Sequence, residues 1–332
     1  MRKHDRLIAA VALVSFVTCC FGYSVAQQTT ARPKHPYGSV KSLSEPTVFA
    51  EGTISTGDFD SHPAFTPDGK TLYFVRSTPT FNLWMILVSR FANGHWSTPE
   101  VAPFSGLYSD ADPFITPDGS RFFFISNRPD ADNKTKSLDI WVMERTDAGW
   151  SEPKNVGNPI NSPGSEWYPT LAADGTLYFG SDRPGGRGRT DIYRSRLVNG
   201  KYAEVENLGD VINTEFNEFE PLIDKDQRFL IFMAGGRSDG RGGFDLYISY
   251  NRGGVWTKPE NLGDKINSKA NEYSPTFSPD GRYFFWTSAR GFADQPLDKR
   301  LDYKDLMNNL RSPRNGLGDI YQIDIGALNI AK

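Results

Sequence analysis

One pattern recurs five times along this chain, and this repetition constrains the fold more than any other feature. Each copy is a turn segment followed by an aromatic or β-branched run, as in Thr71–Val75 and Arg282–Trp286. The aspartates of the five turns are Asp68, Asp118, Asp174, Asp226 and Asp280, at spacings of 50, 56, 52 and 54 residues. Pro-Asp-Gly suits a tight turn because Pro presets φ and Gly tolerates the exit geometry. The runs after the turns therefore read as strands.

Two further strands follow in each repeat. The third strand opens with an aspartate in four repeats, at Asp139, Asp191, Asp245 and Asp319, and the first repeat has Asn82-Leu83-Trp84 there. The fourth strand follows a short turn and carries a large aromatic residue, at Trp96, Trp150, Tyr202 and Trp256. Four antiparallel strands in each unit of about 50 residues are typical of a β-propeller blade.

The two ends of the repeat array indicate how the ring closes. The fifth repeat stops after its third strand, at Ile323–Ile325. Pro46–Ala50 precedes the first Pro-Asp-Gly as Pro99–Ala102 precedes the second, so we expect this N-terminal strand to complete the last blade and remove the exposed sheet edges. The predicted fold is all-β: a five-bladed β-propeller of four-stranded antiparallel blades over residues 46–326. Residues 27–45 read as a polar linker, and residues 327–332 as a C-terminal tail.

The first 26 residues have the pattern of a cleaved secretory signal. Arg2, Lys3 and Arg6 precede an apolar stretch, and small residues precede Gln27. Cys19 and Cys20, the only cysteines, would leave with this signal, so disulfides and Cys-ligated metals are not expected in the mature chain. We therefore expect a periplasmic or secreted monomer with no membrane span after cleavage. A lipoprotein acylated at one of these cysteines is the alternative.

The charge balance argues against nucleic acid as a partner. Lys and Arg number 37 against 40 Asp and Glu, which gives a formal net charge of −3. Phosphate binding needs a concentrated basic surface, and no stretch of this sequence is strongly basic.

The repeats resemble a known family. Ser278-Pro279-Asp280-Gly281 before an aromatic strand, Asp319-Ile320-Tyr321, and the Trp-x-x-Pro-x-Asn-Leu-Gly pattern of Trp256–Gly263 resemble the TolB-like (WD-like) propeller repeats of bacterial envelope proteins. The resemblance implies the fold over nearly all of the mature chain and leaves function open. Five repeats differ from the six blades of TolB itself. The nucleophile elbow of the peptidase relatives is not expected: Gly-x-Ser-x-Gly occurs at Gly236–Gly240, but in a Gly/Arg loop without the strand–turn–helix context of an elbow.

Charged residues recur at fixed places in the repeat. An acid lies three residues before a strand proline, and an arginine follows the second strand. The acids are Asp60, Asp110, Glu166, Glu218 and Glu272, and the arginines are Arg76, Arg128, Arg183, Arg237 and Arg290. Strict recurrence favours a structural role, with acid and arginine paired to hold the blades. The alternative is that some of these charges face a ligand in the axial funnel.

The residue just before the strand proline differs from blade to blade. It is His62, Asp112, Tyr168, Glu220 or Ser274. By strand alternation these side chains share a face with the recurring acids, so they would form a mixed polar set at the mouth of the funnel. His62, Asp112, Tyr168 and Glu220 are therefore the candidate ligand-binding residues, and ordinary solvated loop residues are the alternative reading.

Two kinds of loop also break the symmetry. The Gly/Arg loops 183–189 and 237–243 indicate a local cationic patch for an acidic sugar or peptide, or simple flexible turns. Their candidate binding residues are Arg183, Arg187, Arg237 and Arg241. They lack the strand–loop–helix context of a phosphate site. Residues 291–318 form an insertion that would act as a lid or as a packing cap over the loop-rich face.

Two functions remain from the sequence. The first is an exported, non-catalytic module that binds a protein, peptide or glycan on its loop-rich face. The second is a carbohydrate-active enzyme, a glycosidase or lyase, whose catalytic candidates are Glu220, Asp112 and His62, because glycoside hydrolysis needs two carboxylates across one bond. No cofactor and no metal site are expected. A Ca²⁺ site built from carboxylates stays open without a supporting motif.

Overall fold

The computed structural model describes residues 35–39, 42–129, 137–294, 296–328 and 330. The expected signal peptide and both cysteines lie outside these residues. Within them, five antiparallel sheets follow one another along the chain and form a ring.

The strands of the first three blades follow the order of the repeat. Blade 1 contains β2 (Phe59–Phe65), β3 (Thr71–Ser77), β4 (Trp84–Ala92), β5 (His95–Trp96) and β6 (Glu100–Val101). Blade 2 contains β7 (Asp110–Ile115), β8 (Arg121–Ser126), β9 (Asp139–Thr146), β10 (Gly149–Trp150) and β11 (Lys154–Asn155). Blade 3 contains β12 (Glu166–Leu171), β13 (Leu177–Ser181), β14 (Asp191–Ser195), β15 (Leu197–Val198), β16 (Lys201–Tyr202) and β17 (Glu206–Asn207).

The last two blades complete the ring. Blade 4 contains β18 (Asn217–Ile223), β19 (Phe229–Gly235), β20 (Phe244–Arg252), β21 (Val255–Trp256) and β22 (Glu260–Asn261). Blade 5 contains β23 (Glu272–Phe277), β24 (Tyr283–Ser288), β25 (Asp319–Asp324) and β1 (Thr47–Val48). The pairing of β1 with β25 sets Val48 opposite Tyr321, so a strand from the N-terminal end closes the last blade. The predicted five-bladed propeller and its closure are confirmed.

The second strand of each blade forms the core. Phe74, Phe122 and Phe284 are completely buried, as are Phe179 and Phe232. Aromatic and branched residues fit both faces of a strand that is covered by the neighbouring blades, and their burial supplies most of the stabilisation. This aromatic core fixes the inner strands β2, β7, β12, β18 and β23 around the axis.

The segments that flank the propeller pack against it. Tyr37, in the stretch predicted to be a linker, is only 9% exposed, and the backbone N–H of Leu43 donates to Asp324 at 2.7 Å. At the other end, Leu328 and Ile330 pack against the core of blades 4 and 5. The folded unit therefore includes described residues on both sides of 46–326.

The insertion in blade 5 contains a 3-10 helix (Phe292–Asp294) and helix α1 (Tyr303–Leu310), and a second 3-10 helix (Ile325–Ala327) follows β25. Asp302 caps α1 by accepting from Asp305 N at 2.7 Å. The insertion also contacts the segment before blade 1, where Asn315 donates to Gly57 O at 2.9 Å. No helix of the described residues has the length and apolar character to cross a membrane.

Candidate functional site

Each of the five inner strands has a β-bulge at the residue before its proline. The register shifts there, for example between Ser61 and Ala64. The five bulge residues have left-handed backbone: His62 (φ 54°), Asp112 (53°), Tyr168 (49°), Glu220 (54°) and Ser274 (53°). The proline that follows has no N–H to donate to the ladder, which favours a bulge at this point. Left-handed backbone is costly for these residue types, so the surrounding contacts must hold it in place.

The bulges direct their side chains to the axis, where three charged groups from three blades meet. His62 Nε2 lies 3.0 Å from Asp112 Oδ1 and 3.3 Å from Glu220 Oε1. Its Nδ1 lies 2.7 Å from the hydroxyl of Ser61. All three charged side chains are buried. We call His62, Asp112, Tyr168, Glu220 and Ser274 the axial cluster.

The two acids of the axial cluster also bind the backbone of the next blade. Asp112 Oδ2 accepts from Tyr168 N at 2.8 Å, and Glu220 Oε2 accepts from Ser274 N. The Tyr168 hydroxyl crosses the axis and donates to Pro275 O at 2.7 Å. The cluster thus connects all five blades, and every carboxylate oxygen of Asp112 and Glu220 has a partner.

The electrostatics of the axial cluster favour a charged imidazole. Burial alone lowers the pKa of His62, but Asp112 and Glu220 outweigh it and raise the pKa to about 10. His62 therefore carries a positive charge at neutral pH and balances the two acids. Burial and the two nearby carboxylates raise the pKa of Tyr168 well above its ordinary value, so its hydroxyl keeps its proton as a donor.

These positions differ from the expectation in two ways. The alternative reading as solvated loop residues is wrong, because all five residues of the axial cluster are at most 7% exposed. Strand alternation also fails there, since a bulge inserts an extra residue and redirects the side chain. The sequence does not reveal that His62 N donates to the Thr287 hydroxyl at 3.3 Å, or that Ser61 and Pro275 O contact the cluster. The X-Pro pair inside a strand is the sequence signal that marks the bulge.

The recurring acids and arginines form ion pairs inside each blade, away from the axial cluster. The pairs are Asp60–Arg76 at 2.7 Å, Asp110–Arg128 at 2.8 Å, Glu166–Arg183 at 3.1 Å, Glu218–Arg237 at 3.2 Å and Glu272–Arg290 at 3.6 Å. All five acids are completely buried. We call these ten residues the charge rings.

Each charge-ring pair also binds the segment that enters its blade. In blade 3, Ser162 Oγ donates to Glu166 at 2.6 Å, and Arg183 donates to the carbonyl of Ile160. Burial raises the pKa of Glu166 to about 7, against the opposite effects of Ser162 and Arg183. Arg183 and Arg237, which were also ligand-binding candidates, are engaged in these pairs.

The Gly/Arg loops already hold an anion from the chain itself. Asp191 accepts from the backbone N–H of Arg187 at 2.6 Å and of Gly188 at 3.0 Å. Asp245 makes the same contacts with Arg241 and Gly242. The N–H groups that suit a phosphate are thus used by a carboxylate. The side chains of Arg187 and Arg241 are exposed and lie on these loops, apart from the axial cluster.

A third recurring contact joins the aspartate of the third strand to an asparagine of the fourth. Asn155, Asn207 and Asn261 donate to Asp139, Asp191 and Asp245 at 2.8, 2.7 and 3.0 Å. In blade 5 the fourth strand is β1, and Val48 occupies the place of the asparagine. Asp319 Oδ1 is consequently buried without a hydrogen-bond partner among the described residues. Burial raises the pKa of Asp319 to about 7.

The cavity on the propeller axis lies on the face of the Pro-Asp-Gly turns. Its volume is about 640 Å³, and Asp112 and Tyr168 contribute to its lining. Its walls are mainly apolar and come from all five inner strands, with Phe65, Phe114, Leu171, Ile223 and Phe277 among the lining residues. We call this cavity the funnel. It lies at the end of the inner strands opposite the charge rings, not on the loop-rich face as expected.

The described residues contain no group of three or more His, Cys, Asp or Glu side chains arranged to hold a metal ion. In the axial cluster, His62 itself stands between the two carboxylates and balances their charge.

Comparison with known proteins gives distant structural similarity only. No protein-family model and no curated protein matches the chain. TolB from Acinetobacter baumannii is 18% identical, with a TM-score of 0.45 over 80% of this chain, which spans about half (54%) of that structure. An α-L-arabinofuranosidase from Lactobacillus brevis is 12% identical, with a TM-score of 0.46 over 82% of this chain and 92% of its own.

A third solved structure is similar at the same level. The catalytic domain of the Coprinopsis cinerea GH62 α-L-arabinofuranosidase is 12% identical, with a TM-score of 0.48 over 87% of this chain and all of its own. All three similarities are too distant to carry an argument about the activity of this chain.

Proposed function

We propose that this chain is an exported, non-catalytic β-propeller of the TolB-like kind that binds an apolar segment of a protein or peptide partner in the funnel. The observation that carries this proposal is the contrast between the funnel and the axial cluster. The walls of the funnel are mainly apolar and open to a ligand. The acids beneath them, Asp112 and Glu220, are already bound to His62.

The state of the carboxylates supports binding over hydrolysis. A glycosidase needs one protonated carboxyl group as acid and one ionised carboxylate that reaches the sugar or its attacking water. Asp112 and Glu220 instead share the imidazolium of His62, and their outer oxygens accept backbone N–H groups. Neither carboxylate is free to take part in proton transfer without breaking this network.

The apolar walls indicate the class of ligand. Phe114 and Phe277 are partly exposed in the funnel, and an apolar side chain entering it would remove their surface from water. Sites of a few hundred Å³ with apolar walls and few polar groups are typical of ligand-binding cavities. Lys225 and Arg228 also line the funnel, but Arg228 pairs with Asp224 at 2.9 Å and Asp280 lies in the same lining. The charges of the rim therefore favour neither an acidic nor a basic partner, and the apolar walls define the ligand class.

The experiment is site-specific photocrosslinking in intact cells. A photoreactive amino acid placed at Phe114, on the funnel wall, should give one defined adduct with a partner protein. The same amino acid at Val255, an exposed residue of an outer hairpin in blade 4, is the matched control and should give none. Equal labelling at both positions would refute the funnel as the binding site.

The carbohydrate-active enzyme remains the second candidate, because Asp112 lies in the lining of the funnel and Glu220 is next to it through His62. It is tested by measuring reducing-end release from a polysaccharide panel by the purified chain, with and without Ca²⁺. Release that disappears in Glu220→Gln, with the fold intact by circular dichroism, would establish the enzyme and overturn the binding proposal.

A further inference from the structure

A cleft between blades 1 and 2 has the form of a site that the chain fills with its own residues elsewhere in the ring. The cleft has a volume of about 720 Å³ and lies on the turn face. Thr71 and Tyr73 of blade 1 and Ile115 and Trp150 of blade 2 line it. We call it the blade 1–2 cleft. Pro67 and Ile115 also line the funnel, so the two cavities adjoin.

The equivalent place between blades 5 and 1 is filled by the N-terminal segment. Tyr37 packs there against Phe65, Tyr283 and Phe285, with ring centroids 5.6, 5.8 and 6.2 Å away. Trp96 Nε1 donates to Pro36 O at 2.8 Å. At Pro36 and Tyr37 this segment is held by contacts with side chains of the propeller, as a bound peptide can be.

The strand registers establish that the two places are equivalent. Phe65 pairs with Leu72 as Ile115 pairs with Phe122, and Trp96 lies opposite Phe91 as Trp150 lies opposite Arg145. In the second strands, Thr71 and Tyr73 of blade 1 correspond to Tyr283 and Phe285 of blade 5. All four residues that surround Tyr37 thus have counterparts in the lining of the blade 1–2 cleft.

The two places differ in burial and in their polar groups. Trp96 is 8% exposed beneath the N-terminal segment, whereas Trp150 is half-buried. Trp150 Nε1 donates to the Tyr73 hydroxyl at 3.0 Å. Because this hydroxyl acts there as an acceptor, its O–H can donate to a ligand carbonyl. The Trp150 ring also has Arg145 stacked over it at 5.2 Å. An aromatic floor with a hydroxyl donor suits the same kind of peptide that Pro36 and Tyr37 provide.

The two places differ in charge at one equivalent position, and this difference indicates which charge the ligand carries. Asp324 binds Leu43 N beside the filled place. The register sets Arg90 opposite Thr71 as it sets Asp324 opposite Tyr283. Arg90 is exposed at this position of the blade 1–2 cleft, and its own ion pair, with Glu100, is long (3.8 Å) and exposed. A ligand that follows the path of the N-terminal segment would there meet a guanidinium, which favours a carboxylate.

We propose that the blade 1–2 cleft binds an extended peptide of a partner protein, with a proline-aromatic pair at its centre and an acidic residue five or six positions further on. The site is distinct from the funnel and does not rest on the function proposed for it.

The first test uses a synthetic peptide with the sequence of residues 33–45 and the purified chain, by isothermal titration calorimetry. We expect saturable binding that falls at least about tenfold when Tyr37 of the peptide is replaced by Ala, as for loss of a central aromatic anchor. Trp150→Ala in the protein should have the same effect. Trp150→Ala also removes packing and could destabilise the fold, so a second variant, Ala148→Trp, tests the cleft without removing a buried side chain. Ala148 is exposed on the rim, and a large side chain there would block the cleft.

Matched controls separate this cleft from other sites. Val255→Trp adds the same bulk to the exposed hairpin of blade 4 and should leave binding unchanged. Phe114→Glu alters the funnel and should also leave peptide binding to the cleft unchanged. Failure of the funnel proposal and failure of this one are therefore distinguishable. Peptide binding that survives Ala148→Trp, or no saturable binding at all, would overturn the proposal.

The charge is tested in the peptide. Replacing Ser42 of the peptide by Glu should tighten binding, and Arg90→Ala in the protein should abolish that gain. Direct binding of neutral xylan or arabinan oligosaccharides that is lost in Ala148→Trp, in a protein that does not bind the peptide, would assign the cleft to a glycan and refute the peptide.

Discussion

The axial cluster and the acids of the charge rings lie on neighbouring stretches of the same inner strands. Both neutralise buried carboxylates, but with different partners. The charge rings repeat one ion pair in each blade, and each pair binds the segment entering that blade. The axial cluster uses a different residue in every blade, and its contacts run between blades. Breaking the repeat symmetry therefore does not by itself indicate a ligand: here the unlike residues complement one another where the blades meet on the axis.

The comparison makes the axial cluster the more sensitive region. His62→Leu should lower the free energy of unfolding by about 3–5 kcal/mol, because it leaves two buried carboxylates without their counter-charge. Urea denaturation at pH 7 measures this. The triple variant His62→Leu, Asp112→Asn, Glu220→Gln should recover much of the loss. If the triple variant were no more stable than the single one, the charge balance assigned to His62 would be incorrect.

The charge rings should respond less to the same kind of change. Arg128→Met removes one charged partner of Asp110, but Ser105 still donates to that acid at 2.8 Å. We expect a loss of about 2–3 kcal/mol, in the range of hydrogen bonds to charged groups. Chemical denaturation of both variants side by side checks the order. A larger loss for Arg128→Met than for His62→Leu would reverse the comparison.

The pH dependence of stability tests the positive charge assigned to His62. With a pKa of about 10 in the folded state, His62 keeps its proton in a range where the unfolded chain, with an ordinary value near 6.5, has lost it. Its stabilising contribution is therefore complete below pH 6.5 and is lost as the pH rises towards 10. The difference in the free energy of unfolding between parent and His62→Gln should accordingly shrink from pH 6.5 to pH 10. A difference that stays constant over this range would contradict a charged His62.

A further prediction concerns Asp319, the third-strand aspartate that has no asparagine partner in the fourth strand of its blade. Asp319 has a pKa of about 7, so the folded state holds a proton that the unfolded state has released, and stability falls as the pH rises from about 4 to 7. Asp319→Asn should therefore match the parent near pH 4 and be more stable than the parent at pH 8, with the difference growing between pH 4 and pH 7.

Asp245 supplies the matched control for that substitution. It accepts from Gly242 N at 3.1 Å and from Asn261 at 3.0 Å, so Asp245→Asn would set an amide group among donors and destabilise the chain. Thermal unfolding at pH 8 compares the two variants. A stabilising Asp245→Asn, or a destabilising Asp319→Asn, would refute the role assigned to Val48.

Within the candidate site, the sequence located the residues but not their contacts. The residue before each strand proline was identifiable because Pro interrupts a strand pattern at the same place in every repeat. That His62 lies between Asp112 and Glu220 was not, since these residues are 50 and 158 positions away and meet only across the axis. The alternation rule also failed at this point, because a bulge changes which face the following side chains occupy.

The sequence by itself determined the number of blades, the turns that separate their strands and the closure of the ring by the N-terminal strand. These follow from local chemistry: Pro-Asp-Gly turns, alternating aromatic runs and a repeat that lacks its last strand. Only the tertiary structure decided which side chains meet on the axis, which loop amides are already used by Asp191 and Asp245, and that Tyr37 fills one cleft while its counterpart beside Trp150 stays open. Those features depend on contacts between residues far apart in the chain, and such contacts exist only once the blades have closed into a ring.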